Sequence, residues 1–175
     1  YYLVCGADDR LSADAIENYR KHWAWQPDCD LVVAGVRAGS GLRMGYRPQK
    51  RWLGHVAMFT HHSVGTLIRR DLHKIHGNYD LRFALLADGL FLKSVAIDPN
   101  AKIIAADFIA GEYASGGASE TFLARSLFEL WVIQLLTEPR PFLQTCIFIS
   151  LVIKNFGCIA ADIHRFREKK FGKAG

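Results

Sequence analysis

The sequence predicts an α/β fold: a mixed sheet flanked by helices, followed by a helical extension. Three observations predict it. The run Leu31-Val32-Val33-Ala34-Gly35-Val36 is apolar and β-rich, as a buried strand should be. Ala15, Ile16, Tyr19 and Trp23 repeat at helical spacing just before it. Beyond Pro139 and Pro141, Phe142 to Ile153 is apolar almost throughout, which reads as a further helix. Domain boundaries are expected at 1–138 for the α/β part and 139–175 for the extension.

The elements follow in order. The chain opens on Tyr1-Tyr2-Leu3-Val4-Cys5-Gly6-Ala7, read as a strand, and then meets Asp8 and Asp9. Burying two unpaired carboxylates would cost roughly several kcal/mol each, so they belong where the strand leaves the sheet. Carboxyl ends of strands in open α/β sheets are where ligands bind. Two hard oxygen ligands there suit Mg²⁺ or Mn²⁺ carrying phosphate oxygens. The plainer alternative is a strand end and a helix start, with Asp9 or Ser12 as the cap. The helix of Ala15 to Trp23 and the strand from Leu31 come next.

Arg37 to Arg51 is Gly-rich and basic and reads as a loop with one short strand at most. Ser63 to Ile68 reads as a strand. Asp71 is expected to cap a helix over Leu72 to His76, with Gly77 in a left-handed position after it. Leu81 to Val95 contains a second helix with Leu85, Phe91, Leu92 and Val95 in the core. Ala101 to Tyr113 is extended. Ser115 to Ser119 is a loop, and Ser119-Glu120 opens a long helix to about Thr137.

Length and composition bound the rest. At 175 residues, half of them hydrophobic, the chain is globular rather than disordered. Cys5, Cys29, Cys146 and Cys158 form no C-x-x-C pair and are expected as buried, reduced thiols. The net charge of +5 is concentrated late, in Arg165-Phe166-Arg167-Glu168-Lys169-Lys170-Phe171-Gly172-Lys173. That pattern matches no nucleic-acid motif, so nucleic acid is not an expected partner. For the last helix two readings stay open. One is a buried helix with a solvated end; the other is a peripheral helix on an anionic membrane surface. It is too short to span, since a span needs ~20 residues. The chain begins on Tyr, with no leader-like segment before the first apolar run, so earlier strands are expected to be missing.

Asp88 sits between Leu85-Leu86-Ala87 and Gly89-Leu90-Phe91-Leu92. A carboxylate in that setting is either in a helix's first turn, favoured by the macrodipole, or a general base. His61 and His62 are adjacent, so on a strand their side chains diverge and do not share one metal. Gly116-Gly117 is either a plain turn or a close backbone approach to a phosphate.

In order, these pieces resemble the nucleotide-sugar-dependent family 2 glycosyltransferases of the GT-A fold. Gly6-Ala7-Asp8-Asp9 stands at the acidic metal motif. His61-His62-Ser63 and Gly65 to Arg70 stand at a histidine pair and the following strand. Leu72 to Gly77 with Tyr79-Asp80 comes next, then Ala87-Asp88 at the base motif and Gly116-Gly117-Ala118-Ser119 at a Gly-Gly loop. The likeness covers about Tyr1 to Ser119.

It implies a GT-A-like (Rossmann-like) sheet and an inverting sugar transfer, in surface polysaccharide or glycolipid synthesis. It implies Mn²⁺ or Mg²⁺ on Asp8 and Asp9, and Asp88 as the catalytic base. His61, His62, Gly116, Gly117 and Ser119 would line the substrate cleft. The implied partners are a nucleotide-sugar donor and a glycan or lipid-linked acceptor. The expected location is cytoplasmic, or peripheral at the inner face of the cell membrane. No Gln-x-x-Arg-Trp stretch follows Asp88, which argues against a processive synthase.

Overall fold

A computed structural model of the chain describes residues 1–39, 41–43, 45–59, 63–114 and 116–162. The chain divides into two units. One is Tyr1–Leu81 with Ala87–Ser115, and the other is Arg82–Leu86 with the chain from Gly116 onward.

The first unit is α/β. Among the described residues its sheet has five strands: β1 (Arg10–Leu11), β2 (Leu31–Ala38), β3 (Gly41–Arg43), β4 (Thr66–Ile68) and β5 (Ile103–Tyr113). β2 and β5 lie parallel at the centre, paired from Leu31↔Ile103 to Ala38↔Tyr113 with register shifts on either side of Gly35. β1 pairs antiparallel with the far side of β5. β4 and β3 pair antiparallel with the other side of β2, along its first and last parts respectively. The helices are α1 (Ala15–Trp25), α2 (His55–Met58), α3 (Leu72–His76) and α4 (Ala87–Ile97). This is the expected mixed sheet flanked by helices.

β2 organises the core because its side chains alternate between two apolar layers. Leu31 and Val33 enter a cluster with Met58, Phe59, Ile68, Leu72, Phe91, Leu92 and Val95. Val32 and Ala34 enter one with Tyr19, Cys29, Ala106 and Ala110 on the other face. Each large side chain so buried contributes about 1.5–3 kcal/mol. At the start of β2 the buried Asp30 ties three segments together. Its carboxylate pairs with Arg69 at 2.9 Å and accepts the Lys102 N–H at 2.8 Å, just before β5.

Several expectations need correction. The opening run forms no continuous strand; Tyr2 makes an isolated bridge to Ile68. Side chains anchor it instead: the Tyr1 hydroxyl donates to the Cys29 carbonyl at 2.5 Å, and the Tyr2 hydroxyl meets His73 and Tyr79. In α1, Ala15 and Tyr19 are buried, but Ile16 and Trp23 are exposed. Its N-cap is Asp14, neither Asp9 nor Ser12. Asp71 precedes α3 without a capping bond, because its carboxylate holds Lys74 at 2.6 Å. Gly77 does take a positive φ of 82°. Ser63–Gly65 is a 3-10 turn ahead of β4, and the basic segment Pro48–Leu53 is another. All four cysteines are free, but of them only Cys29 is buried.

The second unit is helical: α5 (Ala118–Thr121), α6 (Leu123–Thr137), α7 (Pro141–Lys154) and a short helix Phe156–Asp162 bent 70° from α7. The single helix expected from Ser119 to Thr137 is broken at Phe122, whose φ and ψ of −107° and 55° are non-helical. Pro141 opens α7, where its missing N–H costs nothing. Glu129 of α6 accepts the backbone N–H groups of Ala84, Leu85 and Leu86 and the Arg125 side chain, all at 2.9–3.2 Å.

Candidate functional site

Asp8 and Asp9 lie in a tight turn. The Asp9 N–H donates to the Gly6 carbonyl at 3.2 Å, and the Gly6 N–H donates to Asp9 Oδ2 at 2.6 Å. A Cβ at position 6 would stand 2.8 Å from Asp9 Oδ2 and 3.3 Å from Asp8 Oδ1. Both carboxylates therefore gather on the same side of Gly6, Asp8 exposed and Asp9 half-buried.

The turn's place in the sheet follows from register. β1 is antiparallel to β5, with Arg10 opposite Glu112 and Leu11 opposite Gly111. Asp9 thus falls beyond Glu112, at the carboxyl end of the parallel β2–β5 pair. Gly111 lets β1 dock so closely, because a Cβ there would collide with the Arg10 carbonyl oxygen.

Asp88 occupies the first turn of α4. This helix packs Phe91, Leu92 and Val95 under β2 and ends at Ile97, six residues before β5 begins. Phe91, one turn later, stacks on His73 at 4.4 Å; Asp88 itself is exposed. Its Oδ1 accepts the Gly89 N–H at 2.8 Å, and the positive helix end favours its ionised form.

The topology thus brings Asp8 and Asp9 to the carboxyl edge. Arg37 at the end of β2 and Glu112 on β5 add an exposed ion pair there at 3.9 Å. Such an edge offers two carboxylates to a divalent ion. Among the described residues no three His, Cys, Asp or Glu side chains gather into a metal cage. A Mg²⁺ or Mn²⁺ held by one or two carboxylates with substrate phosphates completing its shell needs no such cage.

His61 and His62 lie outside the described residues. Gly116, Gly117 and Ser119 belong to the second unit and are exposed. There Gly116 takes a φ of 96°, its carbonyl accepts from Thr121 Oγ1 at 3.2 Å, and the Ser119 carbonyl accepts from Ser126 Oγ at 2.6 Å.

Sequence reasoning missed three features of the first unit. The buried His55 ring lies directly against Gly89, where any Cβ would overlap it, so a single glycine fixes the distance between α2 and the residue after Asp88. Lys93 is fully buried and donates to the Arg51 carbonyl at 2.5 Å, tying the basic segment to α4. The third is Tyr2-His73-Tyr79. The Gly77 carbonyl, 3.0 Å from His73 Nδ1, only accepts, so the neutral ring carries its proton there. Nε2 then accepts from Tyr2 at 2.7 Å, and Tyr2 accepts from Tyr79 at 2.8 Å. Burial pushes the Tyr2 phenol well above the usual tyrosine range. The glycine at 89 was a readable signal; the other two arise from long-range packing.

Two cavities lie toward the opposite, amino edge. Lys21, His22, Trp25, Gln26 and Ile104 line one of about 260 Å³. Arg70, Asp71, His73, Lys74 and Asn78 line another of about 670 Å³. Compared with protein-family models, with curated proteins and with solved structures, the chain finds no match in any of the three.

Proposed function

We propose that the chain belongs to an inverting, metal-dependent glycosyltransferase of the GT-A type, moving a sugar from a nucleotide-sugar to an acceptor hydroxyl. The observation that carries this reading is the acidic turn at the sheet edge. The Gly6–Asp9 turn lies at the carboxyl end of the parallel β2–β5 pair, and Asp88 opens the helix that precedes β5. The ordered motifs of the sequence supply the reaction class.

In this reading Asp8 and Asp9 hold Mn²⁺ or Mg²⁺ against the donor diphosphate. The bound ion would offset the charge that builds on the leaving nucleoside diphosphate. Asp88 accepts the acceptor's hydroxyl proton as its oxygen bonds to the anomeric carbon. The bond from that carbon to the diphosphate oxygen breaks on the opposite face, so the configuration inverts. Exposure suits Asp88 to this task, because an acceptor must reach it from solvent. Its position at a helix N-terminus keeps it ionised and ready to accept a proton. Gly6 and Gly111 act as positioning residues, holding the acidic turn to the sheet edge.

The test measures nucleoside diphosphate release by the full-length protein from uridine, guanosine and thymidine diphosphosugars, with Mn²⁺ and with chelator. Asp88→Asn is expected to lower turnover about 10²–10⁴-fold with donor binding retained. Asp9→Ala is expected to weaken donor binding in Mn²⁺ at least tenfold. A full rate in either correctly folded variant overturns the assignment.

A further inference from the structure

The helical unit buries polar side chains beside its apolar Leu127 and Ile133, and it leaves an apolar stripe exposed. In α7 the buried residue is Gln144, 2% exposed. Across the hairpin the buried polar residues of α6 and its end are Ser126, Glu129, Gln134 and Glu138. Polar groups meet between the helices. Gln134 Nε2 donates to Gln144 Oε1 at 3.1 Å, and Trp131 Nε1 donates to Thr145 Oγ1 at 3.3 Å. Leu143, Ile147, Phe148, Leu151 and Val152 are half-buried, but a second set of apolar side chains points outward. Phe142 is 82% exposed and Ile153 69%, with Cys146 and Ile149 exposed between them. These four advance by four, three and four residues, so they form one stripe along the helix. Phe156, just past the bend, is exposed as well.

A helix pair in water buries its apolar face and exposes its polar one. Buried polar contacts beside an exposed apolar stripe suit a medium that offers no hydrogen bonds, where polar groups must find each other across the helix pair. The charges fit the same medium. Between Arg140 and Asp162 the one charged side chain is Lys154, and Arg165, Arg167, Lys169, Lys170 and Lys173 follow in the sequence. A stripe flanked by cations complements anionic lipid headgroups, and Lys at a helix end extends its ammonium toward them. At about 21 Å, α7 is shorter than the ~30 Å hydrocarbon core. It then turns by 70°, so it does not cross as one straight helix.

We propose that the outward stripe of α7, Phe142, Cys146, Ile149 and Ile153, is a membrane-docking face that lies in the headgroup boundary of an anionic bilayer. This surface is independent of the transferase reading: it holds or fails whatever the sheet edge catalyses.

The test uses the full-length protein and vesicles of phosphatidylcholine with and without three-tenths phosphatidylglycerol. Wild type is expected to float with the anionic vesicles and at least tenfold less with neutral ones. Phe142→Ser/Ile149→Ser/Ile153→Ser, with its helical circular dichroism unchanged, should lose at least tenfold of that binding. An environment-sensitive fluorophore on Cys146, in a Cys5→Ser/Cys158→Ser background, should shift to the blue when anionic vesicles are added. Undiminished binding by the triple variant, or a fluorophore that stays in water, overturns the proposal. So does a wild-type protein that ignores vesicles but forms a dimer which the triple variant dissolves; the occupant would then be a second copy of the chain. Resistance to alkaline carbonate extraction would replace an interfacial helix with a spanning one.

Discussion

The two units differ in how much of their burial is polar. In the sheet unit, Leu31 through Val36 on β2 are buried without a polar residue among them. In the helical unit, the residue most deeply placed on α7 is a glutamine, and phenylalanine and isoleucine face out. The sheet unit draws its stability from removing apolar surface from water. The hairpin is held by hydrogen bonds, the Trp131–Phe148 stack at 4.9 Å and a few buried aliphatics, with its apolar surface left for another medium. Each unit also carries one buried carboxylate tied to backbone N–H groups and an arginine, Asp30 in the first and Glu129 in the second. These two carboxylates show how far the contrast extends.

Asp30 should carry the larger effect. Asp30→Ala leaves Arg69 without its partner and the Lys102 N–H without its acceptor, at the point where β2, β4 and β5 meet. Breaking a buried pair costs about 3–5 kcal/mol; Arg69 is partly solvated, so the lower end, about 3 kcal/mol, is expected in urea unfolding of the first unit. A loss under about 1 kcal/mol would mean that the apolar layers alone hold the three strands in place.

Glu129 should carry less, with a pH signature. Burial raises its carboxyl pKa, but three backbone N–H groups and Arg125 outweigh that and hold it below the usual glutamate range. A folded pKa below the unfolded one gives stability that is present above the unfolded value and lost as pH falls through the folded value. The loss should therefore begin below about pH 4.3, the ordinary glutamate value, and Glu129→Gln should flatten that acid limb. At neutral pH the variant should cost about 1–2 kcal/mol, since it keeps one acceptor oxygen of two. An acid limb unchanged in Glu129→Gln would assign the pH dependence to other carboxylates.

These carboxylates also show what the sequence could tell. β2 and β5 were legible because short apolar runs rich in β-branched residues suit a pleated, buried backbone. α7 was legible because two prolines mark where it begins. The opening run misled because apolar character does not reveal hydrogen-bond partners; Tyr1 and Tyr2 hold that segment through their hydroxyls, to groups 28 and 71 residues away. The pairing of Asp8 and Asp9 in one turn was readable from Gly6. Their place at the carboxyl edge was not, since it depends on the register of β1 against β5. Asp88 was expected in a helix's first turn or as a general base, and it does open α4, exposed. Glu129 has a local partner in Arg125, but the backbone N–H groups it accepts lie more than 40 residues earlier and left no signal beside it.

The double variant with the smallest net effect is also the sharpest test of the contrast. Gln144→Leu removes the acceptor for Gln134 Nε2 inside the hairpin, and a buried donor left without its bond costs about 1–3 kcal/mol. Replacing both, Gln134→Leu/Gln144→Leu, removes donor and acceptor together and should return the unit to within about 1 kcal/mol of wild type. The double-mutant cycle should therefore show favourable coupling of about 0.5–3 kcal/mol, read from thermal unfolding of the helical signal. If Gln144→Leu alone is stabilising, the inside of the hairpin behaves as an ordinary apolar core. The exposed apolar stripe would then not depend on polar contacts between α6 and α7, and the difference between the two units would reduce to which side chains face out.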